Sequence, residues 1–155
     1  MLAIIHALVG GLIGEEFNSI LLIAIASFAL HFLFDMFPHW DANWDKKRFE
    51  TTGEAILSKF AKAWFAIDMM LAIIIIASLY NVFDSKKLVL GAFMGILPDL
   101  ISLGYKTKLK KSKHFVGFLK FHSKIQRHTN LKKSLISQSI IIGLLIILFL
   151  IVYFV

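Results

Sequence analysis

The sequence predicts an all-α fold in which about five hydrophobic helices form a polytopic transmembrane bundle. Of the 155 residues, 58% are apolar and only 17% are charged, and the mean hydropathy is +0.77. A water-soluble domain is usually about 45–50% apolar, and the charged residues are too few to cover this much hydrocarbon with a polar surface. The composition therefore indicates lipid as the solvent and a single membrane domain over residues 1–155.

Apolar segments along the chain give the expected helices. A bilayer core about 30 Å thick needs roughly 20 apolar residues per helix. Helices are predicted at about residues 2–14, 17–37, 54–83, 88–105 and 134–155. The first segment lacks the basic start and small-residue cleavage site of a signal peptide, so we expect it to remain as structure. Its length favours a short span, with a re-entrant helix as the alternative.

The basic residues are divided unequally between the two sides that alternating spans would create. Of the 17 Lys and Arg residues, all but Lys86 and Lys87 lie on the side of the N-terminus. The positive-inside rule then places the N-terminus and the basic loops on the cytoplasmic side of the inner membrane. The basic loop at 106–133 contains no acidic residue, and we expect it to contact anionic lipid headgroups rather than nucleic acid.

Ionisable residues in or beside the apolar segments are the candidate functional residues, because each costs about 2.5–3.5 kcal/mol at the bilayer centre. They are His6, His31, Asp35, Asp68 and Asp99 within the segments, and His39 and Asp41 just beyond the second. Ser27, His31 and Asp35 follow one another at a spacing of four, which makes one polar stripe on a helix.

Two glycine-lined helix faces carry candidate ligands of their own. On the first segment Gly10 and Gly14 follow His6, and on the fourth Gly91 and Gly95 precede Asp99, all at a spacing of four. Small residues at this spacing let helix backbones approach closely. We therefore expect these two helices to pack tightly and to direct His6 and Asp99 inward, toward one site near the inner leaflet.

Imidazole and carboxylate ligands together suit a divalent metal, with zinc favoured and iron(II) or manganese as alternatives. The predicted metal ligands are His6, His31, Asp35, His39, Asp41 and Asp99, and the predicted catalytic residues are His31, Asp35 and Asp99. A metal ion beside a carboxylate lowers the pKa of a coordinated water, which is the chemistry of hydrolysis. The chain has no cysteine, so thiolate zinc sites, thiol nucleophiles and disulfides are excluded.

The His-x3-Asp step at His31 and Asp35, followed by Pro38 and His39, resembles the core motif of the zinc-dependent phospholipase C and P1 nuclease family, whose members are all-helical metal enzymes. The chain is also similar to small membrane-bound metal-dependent hydrolases, in which His-x3-Asp and Leu-Pro-Asp strings recur on apolar helices. The second string ends here at Asp99. The resemblance implies that His31 and Asp35 are metal ligands, and it extends this role to His39 and Asp99.

The predicted function is a membrane-embedded, metal-dependent hydrolase of a phosphoester or lipid-like substrate at the cytoplasmic face. The alternative is a non-enzymatic membrane protein, either an ion or proton carrier or an accessory subunit, that uses buried His and Asp for packing or proton relay. Asp68 has three candidate roles: it could support the ligands of the site, relay protons, or hold neighbouring helices together. His122 and His128 are either surface residues near headgroups or accessory ligands folded back onto the site.

Overall fold

The computed structural model describes residues 1–40, 58–104, 109 and 112–154. These residues form six α-helices and no strand. The helices are α1 (Ala3–Glu16), α2 (Ile20–Asp35), α3 (Lys59–Phe83), α4 (Lys86–Leu103), α5 (Lys113–Ile125) and α6 (Leu131–Phe154). The prediction of an all-helical fold is thereby confirmed, with one helix more than the sequence predicted.

The additional helix is α5, which lies within the basic 106–133 segment. It begins after Ser112, whose side chain accepts a hydrogen bond from the backbone N–H of Phe115. α2, α3 and α4 begin in the same way, each after a serine, namely Ser19, Ser58 and Ser85. Such a cap satisfies one of the backbone donors that the first turn of a helix leaves unpaired.

α1 lies at the centre of the bundle, where it packs against α2, α3, α4 and α6. Its residues from Ala3 to Gly11 are all buried, as expected for a helix that is apolar on every side. A helix surrounded by protein does not need the length of a lipid-facing span. The shortness of the first apolar segment is therefore compatible with its position at the core.

The glycine-lined faces of α1 and α4 meet, as their spacing predicts. A Cβ atom added to Gly10 would overlap the carbonyl oxygen of Gly91, and one added to Gly91 would overlap the carbonyl oxygen of Gly10. A Cβ on Gly95 would likewise meet the carbonyl oxygen of His6. Because the obstacles are backbone atoms, which cannot swing aside, the two helices can approach this closely only where glycine is present.

Among the described helices, α3 and α6 are long and apolar enough to cross a membrane, while α2 is apolar but shorter. The predicted five-span bundle is therefore not confirmed by helix length and composition. Only 11% and 17% of the most apolar windows of α3 and α6 are buried within the protein. The core helix of a soluble protein would be mostly buried, so the two helices present the kind of surface that lipid covers.

The N-terminus of α1 is held by polar side chains from two other helices. The carboxylate of Asp68 on α3 accepts hydrogen bonds from the backbone N–H groups of Ala3, at 2.6 Å, and Ile4, at 3.3 Å. The side-chain oxygen of Gln138 on α6 accepts another from the N–H of Leu2, at 2.9 Å. Of the roles left open for Asp68, the structure thus supports the packing role: this carboxylate caps a buried helix end.

Replacing Asp68 by alanine should lower the free energy of unfolding by about 1–3 kcal/mol, because two buried amides lose their acceptor. Asp68→Asn keeps one carbonyl oxygen as an acceptor and should lose less. Equilibrium unfolding of the detergent-solubilised protein measures both effects. Wild-type stability in both variants would contradict the capping role.

Candidate metal centre

Five ionisable side chains meet at one end of the bundle. His6 near the start of α1 contacts Asp35 at the end of α2, and its carbonyl oxygen faces Gly95 near the end of α4, so these three helix ends lie together. α5 packs against α2 at the same end. The side chains form two overlapping groups, one of His31, Asp35 and His122 and the other of His6, His31 and Asp99. Within each group, one potential ligand atom per residue lies within 4.8 Å of the others.

The first group has the dimensions of a zinc site. The Nε2 atoms of His31 and His122 are 3.0 Å apart. Oδ2 of Asp35 lies 2.8 Å from Nε2 of His122 and 3.4 Å from Nε2 of His31. Tetrahedral zinc with bonds of about 2.0–2.1 Å places neighbouring ligand atoms roughly 3.3 Å apart. The three atoms can therefore serve as three corners of such a site, and all three residues are buried.

Hydrogen bonds behind the rings assign the protons of both histidines. Nδ1 of His31 lies 2.7 Å from the carbonyl oxygen of Gly95, which can only accept, so this nitrogen carries the hydrogen. Nδ1 of His122 lies 3.2 Å from Oγ of Ser102. That hydroxyl donates its own hydrogen to the carbonyl oxygen of Pro98, at 2.9 Å, so it accepts from His122.

With the outer nitrogens as donors, the Nε2 atoms of His31 and His122 face each other and the Asp35 carboxylate, and each is available as a ligand atom when its ring carries one hydrogen. Three electron-rich atoms this close repel unless a cation lies among them, either a shared proton or a metal ion. Partners on the outer nitrogens are the usual means by which proteins orient metal-binding imidazoles. The arrangement is therefore chemically suited to a divalent metal.

Asp35 connects this group to His6. Its other oxygen, Oδ1, lies 3.1 Å from Nε2 of His6 and 2.8 Å from the amino group of Met1. The rings of His6 and His31 are stacked, with centroids 3.9 Å apart. Because Nδ1 of His31 is engaged with Gly95, its Nε2 is shared by the two groups. The pair of groups is best described as one centre that can take one ion at a time.

Asp99 lies at the opening of the centre. Its Oδ1 is 3.7 Å from Nε2 of His31 and 3.8 Å from Nε2 of His122. The side chain of Asp99 is 16% exposed, whereas those of the four other members are at most 5% exposed. Three close ligands with one more accessible side match the composition of catalytic zinc sites, which keep a position open.

His39 and His128 lie outside these two groups. His39 is buried, and its Nδ1 donates to the carbonyl oxygen of Phe37, at 2.8 Å. Its backbone joins the segment after α5: the N–H of His39 donates to Arg127 at 3.0 Å, and the N–H of Thr129 donates to His39 at 2.8 Å. This parallel bridge ties the end of α2 to the end of α5. Asp41 lies outside the described residues.

The structure adds residues to the predicted site. His122 holds a central place, beyond the accessory role considered for it. Gln126, one turn further, points its side-chain nitrogen at Oδ2 of Asp35 from 3.4 Å. Ser102 and the carbonyl oxygen of Gly95 orient the two rings. Thus α5, the helix not predicted, supplies one of the three close ligands.

Ser102→Ala should weaken metal binding by about 10–100-fold, the usual cost of removing a group that orients a ligand. Ser78→Ala is the matched control, because the Ser78 hydroxyl also donates to the carbonyl four residues earlier but lies on an exposed face of α3. Competition with a chromophoric chelator measures both affinities. Equal affinities in the two variants would contradict the role of Ser102.

Comparisons with protein-family models, with curated proteins and with solved structures find no match to this chain. Its function is therefore argued from the chemistry of the centre.

Proposed function

We propose that this chain is a membrane-embedded, metal-dependent hydrolase acting on a phosphoester or lipid-like substrate at the cytoplasmic face. The observation that carries the proposal is the buried meeting of two imidazole Nε2 atoms and one carboxylate oxygen, 2.8–3.4 Å apart. A structural hydrogen-bond network would not need two imidazole Nε2 atoms to face each other beside a carboxylate. Buried polar groups usually have a donor for each acceptor.

Zinc is the metal that best fits two imidazoles and a carboxylate at these separations. When bound, it would supply a Lewis acid and would lower the pKa of a coordinated water. The chain's residues would divide the remaining tasks. His31, Asp35 and His122 hold the ion, and Asp99, the accessible carboxylate at the opening, is placed to take up a proton. His6 stabilises the buried Asp35 from the opposite side.

The charge near the centre favours an anionic substrate. α5, which brings His122 into the centre, exposes Lys113, Lys120 and Lys124. Lysine ammonium groups near a phosphate act as point charges, which suits recruitment of an anionic headgroup. The same helix would therefore serve the centre with one face and the membrane surface with the other.

The membrane arrangement is part of the proposal. We propose that α3 and α6 cross the inner membrane and that α1, α2 and α4 complete the bundle in the same layer. Of the Lys and Arg residues that the structure describes, all but Lys86 and Lys87 lie toward the end with the metal centre, which supports a cytoplasmic position for it. A substrate held in the membrane could then reach the centre without leaving the lipid.

A carrier would need polar residues distributed through the depth of the bundle. Among the described residues, the buried ionisable side chains are instead gathered at the end where α1 begins. Asp68, the residue most suggestive of a path across the membrane, is engaged as the cap of α1. This arrangement supports the hydrolase over the carrier.

Metal analysis of the detergent-purified protein, together with hydrolysis assays on phosphatidic acid and on bis(4-nitrophenyl) phosphate, tests the proposal. We expect one equivalent of metal and zinc-dependent hydrolysis in the wild type, and loss of both in a His31→Ala variant that retains the helical circular dichroism spectrum. Negligible metal in both proteins would overturn the metal centre. Stoichiometric metal without hydrolysis of either compound would overturn the catalytic assignment.

A further inference from the structure

An apolar cleft of about 560 Å³ lies between α3 and α4. Its walls are Ile73, Ile76 and Ala77 on α3 and Val89, Phe93 and Ile96 on α4, and Ala7 of α1 lies at its floor. Ile73 is 63% exposed and Phe93 is 49% exposed. The cleft therefore opens sideways, out of the bundle, on the surface where the proposed membrane would lie.

One end of the cleft leads toward the metal centre. On α4, the lining residue Ile96 precedes Asp99 by three residues, so the two side chains are neighbours on the helix surface. Asp99 is also the most exposed member of the centre. On α3, Asp68 lies one turn before the lining residue Ala72. The end of the cleft formed by Ala72 and Ile96 therefore lies about one helical turn from Asp68 and from Asp99.

The far end of the cleft has a different character. It is lined by Tyr80 and Lys86 at the opposite end of the bundle. From Lys86 to Ile96 the cleft follows α4 for roughly 15 Å, at a rise of about 1.5 Å per residue. That length accommodates one extended hydrocarbon chain, and the lining residues other than Tyr80 and Lys86 are all apolar.

We propose that this cleft holds a hydrocarbon chain of the substrate, a lipid with an anionic phosphoester headgroup that lies at Asp99. The inference rests on the proposed function, and it specifies the substrate class as a membrane lipid rather than a water-soluble phosphoester. The cleft gives little affinity by itself. A lipid chain is already shielded from water in the bilayer, so moving it into the cleft buries no further apolar surface. Its role is to align the chain so that the headgroup reaches the centre.

Photolabelling tests the proposal without requiring turnover. The full chain is reconstituted in phosphatidylcholine vesicles containing phosphatidic acid with a diazirine halfway along one acyl chain. After irradiation, the labelled residues are identified by mass spectrometry. We expect the label to concentrate on the cleft walls, such as Ile76 and Phe93. The same diazirine chain on phosphatidylcholine should label the cleft less, because its headgroup lacks the net negative charge that the centre would bind.

Two tryptophan variants provide the structural control. Ala77 is an exposed residue of the cleft wall, so Ala77→Trp fills the cleft without entering the core and should abolish its labelling. Ala29 is an exposed residue of α2, a helix that contributes nothing to the lining described here, and Ala29→Trp should leave the labelling unchanged. Both substitutions add the same side chain to a lipid-facing surface.

The outcomes separate this inference from the proposed function. Equal labelling of the cleft by the two probes, or labelling that survives Ala77→Trp, would overturn the assignment of the cleft. Selective labelling that Ala77→Trp abolishes would establish the lipid site. If such labelling is accompanied by no hydrolysis of phosphatidic acid, the lipid site stands and the hydrolase proposal fails.

Discussion

A His122→Ala variant should bind zinc at least about a hundredfold more weakly than the wild type. Loss of a group that merely orients a ligand costs about 10–100-fold, and His122 is itself one of the three close ligands. Its Nε2 lies 2.8 Å from Asp35 and 3.0 Å from His31. Removing it leaves two close protein ligands and an open position filled by water. The expected result is loss of metal on gel filtration, measured by elemental analysis, and a matching loss of hydrolysis.

His114→Ala is the control for this experiment. His114 lies on the same helix, in α5, but is exposed, so its loss should leave the metal content unchanged. Both variants remove one imidazole from the basic segment, so a nonspecific effect on surface charge would appear equally in the two. Retention of full metal by His122→Ala would mean that the protein binds metal without this imidazole. The assignment of His122 as a metal ligand would then be wrong.

The sequence predicted the parts of this site that depend on one helix. His31 and Asp35 are one turn apart on α2, and that spacing alone places both side chains on the same face. The close packing of α1 and α4 followed from their glycines in the same way, because the small residues repeat at helical spacing. The all-helical architecture followed from the apolar segments, whose lengths leave little room for another type of structure.

The role of His122 could not be predicted from the charge of its surroundings, which indicated a loop at the membrane surface. A second signal was present in the same segment. Phe115, Phe118 and His122 follow one another at spacings of three and four residues, which is typical of one face of an amphipathic helix. In the structure Phe118 and His122 both pack against Phe32 of α2, with ring centroids 6.2 and 5.5 Å apart. The apolar spacing, given more weight than the charge, would have indicated the helix.

His39 and Asp68 show where a single sequence gives no such signal. Both engage backbone groups: His39 pairs with the chain after α5, and Asp68 caps α1. Every residue carries nearly the same backbone groups, so no pattern of side chains marks such a partner. Proximity of His39 to His31 in the sequence suggested a shared site. However, α2 ends before Pro38, so His39 does not continue the helix face that carries His31.

Gly91→Ala should lower the free energy of unfolding by about 1–3 kcal/mol, the usual cost of an added methyl group in a packed core. A Cβ at this position overlaps the carbonyl oxygen of Gly10, and its next neighbours are also backbone atoms of α1. No side chain can move to make room, so α1 and α4 must separate. Separation would also draw Gly95 away from His31, which its carbonyl oxygen orients. Metal affinity should therefore fall together with stability.

The same substitution at Gly143 should change the free energy of unfolding in the opposite direction. Gly143 lies within α6, and a Cβ there would meet nothing within 4 Å. Alanine in a helix interior is more favourable than glycine by about 0.5–1 kcal/mol, so this variant should be slightly more stable and should bind metal normally. Equilibrium unfolding in one detergent, with metal content measured on the same samples, compares the two variants. If Gly91→Ala were as stable as Gly143→Ala, α1 and α4 could not be in backbone contact. The inference that the packing of α1 against α4 positions the His31 ring would then be wrong.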